Sequence, residues 1–343
     1  MLKIIIRLLS HPLSFLYGLV TTLRNYLYDA NIFYTNKLPC KVISVGNITT
    51  GGSGKTPTVE FLALYLQSIG KNVGIVSRGY GRSSKHIKLV TDGFNKPNSW
   101  EQYGDEAFLL SQNLNSIPIV VGESKYKAGL KIVTEFDIDV IIIDDGFQHR
   151  SLHRDLDIVL INSKDTKRTH KLLPLGSLRE RISGLKRADM IVYTKTNLYN
   201  NLNYLDDLLK NVNIEILNSI LETKSMLIGK DKQEINQADL KLKNVYLLSA
   251  IGDNRGFKKT VKKIDVNIVG HSKFIDHFKF KTNHLKKAQK EAKRVGAKYI
   301  ITTEKDLIKI PNVNLEIPIY ALKTEMHFSP LSKLEDKIIS LFI

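Results

Sequence analysis

The segment Val42-Ile-Ser-Val-Gly-Asn-Ile-Thr-Thr-Gly-Gly-Ser-Gly-Lys-Thr56 begins as a short apolar run and ends as a glycine-rich loop. This order predicts a buried strand, a loop whose backbone N–H groups point inward, and the N-terminus of a helix. Together these three parts form a cradle for the phosphates of a nucleotide. Lys55 would reach the β- and γ-phosphates, and the hydroxyl of Thr56 would bind Mg²⁺.

The loop departs from the common phosphate-loop pattern at one position. The pattern G-x-x-x-x-G-K-[ST] asks for glycine at position 49, and this chain has Thr49. Because several glycines follow, the loop stays flexible, and we interpret it as a variant of the same loop. The alternative is a glycine-rich turn that happens to end in Lys-Thr. The predicted nucleotide-binding residues are Thr49, Thr50, Gly51, Gly52, Ser53, Gly54, Lys55 and Thr56.

A second apolar run, Ile138-Asp-Val-Ile-Ile-Ile-Asp144-Asp145, ends in two carboxylates. Its β-branched residues show no helical spacing, which predicts a central parallel strand covered on both faces. An acidic residue at the end of such a strand is expected to organise Mg²⁺ in a P-loop enzyme. Because neighbouring strand residues point to opposite sides, we expect one of the pair to face the metal directly. The predicted metal ligands are Thr56, Asp144 and Asp145.

Considered alone, that acidic segment is better explained as a strand followed by a solvated turn, and only the nearby phosphate loop favours a metal site.

The composition leaves the class of partner open. A content of 43% hydrophobic residues supports a buried core with two subdomains, and a single cysteine, Cys40, excludes an intramolecular disulfide. A net charge of +17 favours an anionic partner: nucleic acid, anionic lipid or a phosphorylated substrate.

Nucleic acid is the least favoured of these partners. The lysines are spread along the chain rather than gathered in one tail. The sequence has no RNA-binding signature, zinc-ligand spacing or ladder of basic and aromatic residues. We therefore expect no nucleic-acid partner, although a nucleotide-binding protein that uses its positive charge to bind nucleic acid remains a competing hypothesis.

The N-terminal residues Leu2 to Leu27 are dominated by Leu, Ile, Phe, Val and Tyr. The longest run without a charged residue, Leu8 to Leu23, is short of the ~20 apolar residues that a spanning helix usually needs. No small-residue cleavage site is evident, so a secretory signal is not expected. A thin polar stripe recurs at helical spacing, formed by Lys3, Arg7, His11 and Ser14. We expect an interfacial helix on the inner leaflet, or alternatively a helix packed on the protein's own core.

Strands alternate with helices along most of the chain, which predicts an α/β fold with a doubly wound, mostly parallel sheet. The ligand crevice of such a sheet lies at the carboxyl ends of its strands. We predict an N-terminal interfacial helix over residues 1–27, a phosphate-loop core over 28–211, a β-connector with a hinge over 212–228, and a smaller α/β subdomain over 229–343.

A set of short motifs, in this order along the chain, resembles the tetraacyldisaccharide 4'-kinase family, the lipid A pathway enzymes that phosphorylate a lipid-linked glucosamine disaccharide. The motifs cover the chain from the N-terminal helix to about residue 325, and their joint order is highly specific. They are Gly46-Asn47, Gly51-Gly-Ser-Gly-Lys-Thr-Pro57, Ser77-Arg-Gly-Tyr-Gly81, Gly104-Asp-Glu106, Asp144-Asp-Gly-Phe-Gln-His149, Leu173-Pro174 with Leu178-Arg-Glu180, Ala250-Ile-Gly252, Phe274-Ile-Asp-His277 and Thr303-Glu-Lys-Asp306.

The resemblance implies an ATP-dependent kinase at the cytoplasmic face of the bacterial inner membrane, bound peripherally or monotopically. Such an enzyme transfers the γ-phosphate of ATP, with Mg²⁺, to the 4'-hydroxyl of a tetraacyldisaccharide 1-phosphate and so produces lipid IVA. Its partners would be the lipid disaccharide substrate and the surface of the inner membrane. The alternative is a soluble P-loop kinase or NTPase that acts on a small cytosolic substrate, with its N-terminal helix buried.

The resemblance also implies roles for single residues. Lys55 matches the catalytic lysine of the loop, Asp105 matches the base toward the sugar hydroxyl, and His277 matches the partner of that base. The residues predicted to bind the substrate are Arg78, Glu106, Arg179 and Glu180. One position departs from the family, because Lys125 stands where members often carry arginine, and lysine has no bidentate fork.

Without the resemblance, each of these residue types also has an ordinary structural explanation. Asp105 is equally an ordinary carboxylate at a helix N-terminus, which is a common use of aspartate. His277 stands beside three phenylalanines and is equally a core or surface imidazole. Arg179 and Glu180 are equally a solvated ion pair of a loop.

Overall fold

The computed structural model describes residues 2–230 and 233–343, with side chains from residue 10 onward. The first part of the chain alternates strands with helices, as the sequence predicts. Its elements are α1 (Leu2–Asp29), β1 (Lys41–Asn47), α2 (Lys55–Ser68), β2 (Val73–Ser77), β3 (Lys88–Thr91), α3 (Asp105–Asn113), β4 (Ile119–Val121), α4 (Lys125–Glu135), β5 (Val140–Asp144), β6 (Leu156–Asn162), β7 (Met190–Thr194) and α5 (Leu202–Leu209).

The second part of the chain begins with a long strand and continues as a smaller α/β unit. Its elements are β8 (Glu215–Gly229), β9 (Glu234–Asn236), β10 (Asn244–Ser249), α6 (Asn254–Lys262), β11 (Asn267–Lys273), α7 (Thr282–Arg294), β12 (Tyr299–Thr303), α8 (Glu304–Leu307), β13 (Ile319–Ser329) and α9 (Leu331–Ile339). Two short 3₁₀ helices lie at Ile182–Arg187 and Gln237–Leu240.

The strands form one sheet in the order β11-β10-β12-β13-β8-β7-β6-β1-β5-β2-β4-β3, with β9 paired to β8. Most neighbours are parallel, which confirms the predicted mixed α/β architecture. Strand β1 lies between β5 and β6, and Val45 pairs with Asp144 near their carboxyl ends. Because parallel strands present these ends at one edge, the phosphate loop after β1 lies beside the two carboxylates after β5.

The central strands are buried along almost their whole length, with Lys41 at the start of β1 as the exception, because helices cover both faces of the sheet. One face packs on α2, α3 and α9, and the other packs on α4 and on the segment around α5. Helices α5 and α9 were not predicted. Both are short, and such helices are held by packing of a few apolar residues rather than by their own propensity; α9 buries Leu334 and Ile338.

Strands β8 and β13 pair antiparallel, with a register shift between Leu322 and Thr324, and join the two parallel parts of the sheet. The sequence predicted a β-connector over residues 212–228. Strand β8 covers most of this range and ends at Gly229, and its partner β13 extends to Ser329. The division of the chain into domains at this connector stays a prediction.

Helix α1 lies against residues 172–187 with its small and polar side. Ser14 donates its hydroxyl to the carbonyl of Leu172 at 3.0 Å, and Tyr17 donates to the carbonyl of Arg179 at 2.7 Å. Apolar side chains on the opposite side are exposed: Leu13, Phe15, Leu16, Leu19, Val20 and Leu23. In the described part of the chain, no helix is both long and apolar enough to cross a membrane. The predicted residues Lys3 and Arg7 lie outside the described side chains.

Candidate active site

The phosphate loop owes its shape to glycines in the left-handed region. Gly51 has φ +112° and Gly54 has φ +90°, and Gly54 caps the N-terminus of α2. Pro57 falls in the first turn of that helix, where its missing N–H costs no intrahelical hydrogen bond. A Cβ on Gly252, from the second part of the chain, would lie 2.7 Å from the backbone nitrogen of Gly52. The segment before α6 therefore packs directly against the phosphate loop.

Thr49 explains why the loop departs from the common pattern without losing its form. Its backbone forms an antiparallel bridge with Leu178, and an extended bridge of this kind accepts any residue. The Thr49 hydroxyl lies 3.4 Å from a carboxylate oxygen of Asp165. A glycine at this position is therefore not needed in this chain.

Lys55 and Arg179 converge on the carboxylate of Asp145. The Lys55 ammonium lies 3.5 Å from Asp145 Oδ1, and one Arg179 nitrogen lies 2.8 Å from both Asp145 oxygens. Burial acts to raise the pKa of Asp145, but Lys55 and Arg179 outweigh it and hold that pKa well below its usual range. Asp145 also has a left-handed backbone, φ +57°, a strain of the kind that proteins retain at functional sites.

Asp144, the neighbour of Asp145, is buried and makes different contacts. Its Oδ2 accepts a hydrogen bond of 2.9 Å from Ser77, while its Oδ1 is buried and has no hydrogen-bond partner among the described residues. Burial, and then the negative charge of Glu106, raise the pKa of Asp144 to about 6. The two carboxylates therefore differ in their partners, as neighbouring residues at a strand end are expected to.

Lys125, the residue that departs from the family pattern, is almost wholly buried at the start of α4. Its ammonium donates a hydrogen bond of 2.8 Å to the backbone carbonyl of Asp144. Burial lowers the pKa of Lys125 to about 8. A single bond to a carbonyl oxygen needs only a point donor, so lysine makes this contact without the fork of arginine.

Asp105 and His277 meet although 172 positions separate them in the chain. His277 Nδ1 lies 2.9 Å from Asp105 Oδ2, and the His277 ring packs 4.5 Å from the ring of Tyr80. Asp105 follows Gly104, whose φ of +90° caps α3, and is only 2% exposed. The His277 side chain is 24% exposed and has a left-handed backbone, φ +58°. His277 is therefore the member of the pair that faces the cavity.

Two lysines of the second part of the chain surround this pair. Lys305 and Lys309 each place their ammonium 3.8 Å from Asp105 Oδ2. Burial acts to raise the pKa of Asp105, but the His277 hydrogen bond and the two lysines outweigh it and hold the pKa below its usual value. Lys305 belongs to the motif Thr303-Glu-Lys-Asp306, on which the family resemblance rests in part, whereas nothing in the sequence indicated Lys309, because a lysine in the turn after a short helix is typically solvated.

A cavity of about 890 Å³ lies at this edge of the sheet. It brings together most of the predicted site residues, including Lys55, Thr56, Arg78, Glu106, Arg179 and His277. Glu180 is an exception because its side chain has no exposed surface. The Glu180 carboxylate accepts hydrogen bonds from Asn25 of α1, from Gln148 and from Arg187. It therefore lies behind the cavity wall and ties α1 to the loop that carries Arg179.

A second ion-pair cluster, which was not predicted from the sequence, lies beside the phosphate loop. Lys195 Nζ lies 2.9 Å from Asp253 Oδ2 and 3.1 Å from the carbonyl of Gly52, and Tyr199 donates to Asp253 at 2.8 Å. Asp253 also caps the N-terminus of α6. The only signals were a lysine directly after a buried strand and an aspartate at a helix start, and both are too common to identify a site alone.

The phosphate loop, the acidic strand end and the cavity that they share define a P-loop phosphotransferase. The family model of tetraacyldisaccharide-1-P 4'-kinase matches residues 6–342. The chain therefore belongs to the tetraacyldisaccharide-1-P 4'-kinase family. This membership confirms the prediction of a kinase with a hydroxyl acceptor in the lipid A pathway, and it decides against the alternative of a soluble enzyme for a small cytosolic substrate.

Individual relatives agree with the family model. A tetraacyldisaccharide 4'-kinase of Aquifex aeolicus is 35% identical over 331 residues, which covers 96% of this chain and 98% of that protein. The enzyme of the same name from Bdellovibrio bacteriovorus is 35% identical over 301 residues, 87% of this chain and 88% of the relative. A crystal structure described as the "apo" form of Aquifex aeolicus LpxK in complex with ATP matches with a TM-score of 0.80 and covers 98% of this chain and 100% of that one.

Proposed function

We propose that this chain transfers the γ-phosphoryl group of ATP to the 4'-hydroxyl of a tetraacyldisaccharide 1-phosphate at the cytoplasmic face of the inner membrane. The observation that carries the proposal is one shared cavity, with the phosphate loop on one wall and His277, backed by Asp105, on another. In the reaction, the hydroxyl oxygen bonds to the γ-phosphorus and the bond from that phosphorus to the β–γ bridging oxygen breaks. ADP leaves, and the hydroxyl proton passes to the protein.

ATP would lie across the phosphate loop, with its charge met by backbone N–H groups and by the ammonium of Lys55. Several apolar side chains also line the cavity, among them Leu221, Ile251, Phe257 and Leu322. A flat, apolar base would fit against such a surface. The nucleotide would therefore be held by charge at one end and by burial at the other.

The residues present fit Mg²⁺. Asp144 has a buried oxygen without a hydrogen-bond partner in the described chain, and the Thr56 side chain lies on the same cavity. The described ranges contain no group of three or more His, Cys, Asp or Glu that could hold an ion alone. This agrees with Mg²⁺, which takes one or two carboxylates and completes its shell with phosphate oxygens and water. When bound, the ion neutralises charge on the β- and γ-phosphates.

The Asp105–His277 pair would accept the proton of the sugar hydroxyl. His277 reaches the cavity, whereas Asp105 fixes the imidazole through the bond to Nδ1 and stabilises a positive charge on it. Arg78 and Glu106, which line the same cavity, would contact the substrate. Arg179 would help to hold the anionic groups while it keeps Asp145 in place, and Glu180 would position that loop rather than touch the substrate.

The direct test is phosphate incorporation by the purified protein. We expect ATP, Mg²⁺ and the disaccharide 1-phosphate in detergent micelles to yield a product with a new 4'-phosphate, identified by mass spectrometry and ³¹P NMR. The same preparation should bind ATP in calorimetry. Protein that binds ATP but transfers no phosphate to this acceptor would contradict the proposal.

The exposed apolar side of α1 would lie in the membrane interface and bring the cavity to its lipid substrate. We predict that Leu16→Asp combined with Leu23→Asp weakens binding to anionic vesicles at least about a hundredfold, since burying each leucine is worth about 1.5 kcal/mol or more. Vesicle flotation measures this binding. Activity in detergent micelles should fall far less than activity on vesicles, because the variants leave the cavity intact.

Leu64→Asp is a matched control for that experiment, because Leu64 is 47% exposed on α2, away from α1. We expect it to bind vesicles like the unmodified protein. If the double variant of α1 also binds vesicles normally, α1 does not mediate membrane attachment and the proposed location fails.

A further inference from the structure

Lys305 connects acidic groups that come from both parts of the chain. Its ammonium lies 3.0 Å from Glu106 Oε1 and 3.8 Å from Asp105 Oδ2, both on α3. It also lies 3.7 Å from Asp276 Oδ1 and 3.5 Å from His277 Nε2. The Lys305 side chain is only 17% exposed. One partly buried cation of α8 therefore lies close to both members of the proton-accepting pair.

We propose that Lys305 is a positioning residue of the phosphoryl transfer, which holds the Asp105–His277 pair in the charge state that accepts a proton. This inference rests on the proposed function of that pair. Protonation of Asp105 removes a negative charge, and protonation of His277 adds a positive one. Either change leaves more positive charge beside the Lys305 ammonium, so the cation favours ionised Asp105 with neutral His277.

The surrounding charges show why Lys305, rather than its neighbour, has this effect. Lys309 is as close to Asp105, but its ammonium also lies 2.8 Å from Asp306 Oδ1, and both of these side chains are fully buried. Lys305 differs because its ammonium also lies 3.5 Å from His277 Nε2, so it acts on both members of the pair. Glu106 and Asp276 are negative and fix the position of Lys305. Burial acts to lower the pKa of Lys305, but Glu106, Asp105 and Asp276 outweigh it and raise that pKa, so the side chain carries its charge at neutral pH.

The proposal predicts a change in the pH profile of the enzyme. In Lys305→Gln, we expect the acidic limb of kcat/KM for the lipid disaccharide to move up by about one pH unit or more at saturating ATP. The direction of the shift follows from the charge of the pair. The pair accepts a proton only in its unprotonated form, which is lost as the pH falls through the pKa. Removing a neighbouring cation raises that pKa, so the loss begins at a higher pH. At a pH on the acidic limb of the unmodified enzyme, the loss of activity should therefore exceed the loss on the plateau above it by about tenfold.

Two matched variants separate charge from structure. Lys305→Arg keeps the cation, and we expect its acidic limb to stay where it is in the unmodified enzyme. Lys290→Gln removes an exposed lysine of α7 and should change nothing. The comparison of Lys305→Gln with Lys305→Arg therefore isolates the loss of the charge at this position. Thermal unfolding confirms that each variant is folded, and Lys305→Met replaces the glutamine variant if that one is not.

An unchanged acidic limb in folded Lys305→Gln would overturn the inference, and so would a loss of equal size at every pH or a rise in KM for ATP alone. The variant Asp105→Asn distinguishes failure of the inference from failure of the proposed function. If Asp105→Asn keeps full activity, the pair itself is not the proton acceptor. If Asp105→Asn is inactive while Lys305→Gln keeps the normal limb, only the role of Lys305 fails.

Discussion

Asp105→Asn is expected to lower kcat about 10²- to 10⁴-fold, the usual contribution of a general base, while the dissociation constant for ATP changes little. Asparagine has nearly the same shape and can still contact His277, but it carries no charge to stabilise an imidazolium. The interaction that is lost is made mainly in the transition state, so turnover falls and nucleotide binding does not. Single-turnover kinetics with saturating lipid, together with calorimetry for ATP, measure the two quantities separately.

Glu101→Gln is the matched control, because Glu101 is an exposed carboxylate just before α3. We expect it to leave both quantities unchanged. Equal losses of turnover and ATP affinity in Asp105→Asn would argue that Asp105 supports the fold of the nucleotide site. Thermal unfolding decides this point, since Asp105 also neutralises part of the charge of Lys305 and Lys309.

Lys55→Met is expected to lower kcat/KM for ATP by about 10²- to 10³-fold or more, because it removes a charged donor to the phosphates. Unlike the change at Asp105, this change should also weaken ATP binding, because the lysine contacts the β- and γ-phosphates before and during transfer. It also removes one of the cations that hold the pKa of Asp145 down. Calorimetry and steady-state kinetics measure both effects on the same preparation.

Lys85→Met controls for the loss of one positive charge, since Lys85 is exposed after the glycine turn that follows β2. It should bind ATP and turn over normally. If Lys55→Met binds ATP as tightly as the unmodified protein, the loop does not hold the triphosphate in the way we propose. Since ATP binding is the first step of the proposed mechanism, this result would contradict the mechanism as a whole.

The parts of the fold that the sequence predicted are those set by neighbouring residues. The strand from Val42, the glycine loop and the helix from Lys55 follow from apolar runs and backbone freedom within a few positions. The acidic strand end at Asp144 follows in the same way. Helices α5 and α9 and the full length of the β8–β13 pair did not follow, because partners far along the chain stabilise them.

The N-terminal helix α1 is a second example of a feature that depends on distant parts of the chain. The sequence predicted a polar stripe and an apolar remainder, but it left open which side faces the protein. In the structure, Ser14 and Tyr17 bind the loop at residues 172–187, and leucines such as Leu16 point away. Amphipathic spacing defines two sides of a helix, whereas the choice of the inner side depends on groups elsewhere in the chain that can pair with it.

The sequence by itself determined the class of chemistry, because a glycine loop that ends in Lys55-Thr56 builds a phosphate cradle wherever it follows a strand. Only the tertiary structure decided which further charges meet: that Lys305 and Lys309 surround the Asp105–His277 pair, and that Glu180 is buried against α1. The physical reason is distance. Backbone preferences act over a few residues, whereas Coulomb interactions and burial act through space and depend on how the whole chain is folded.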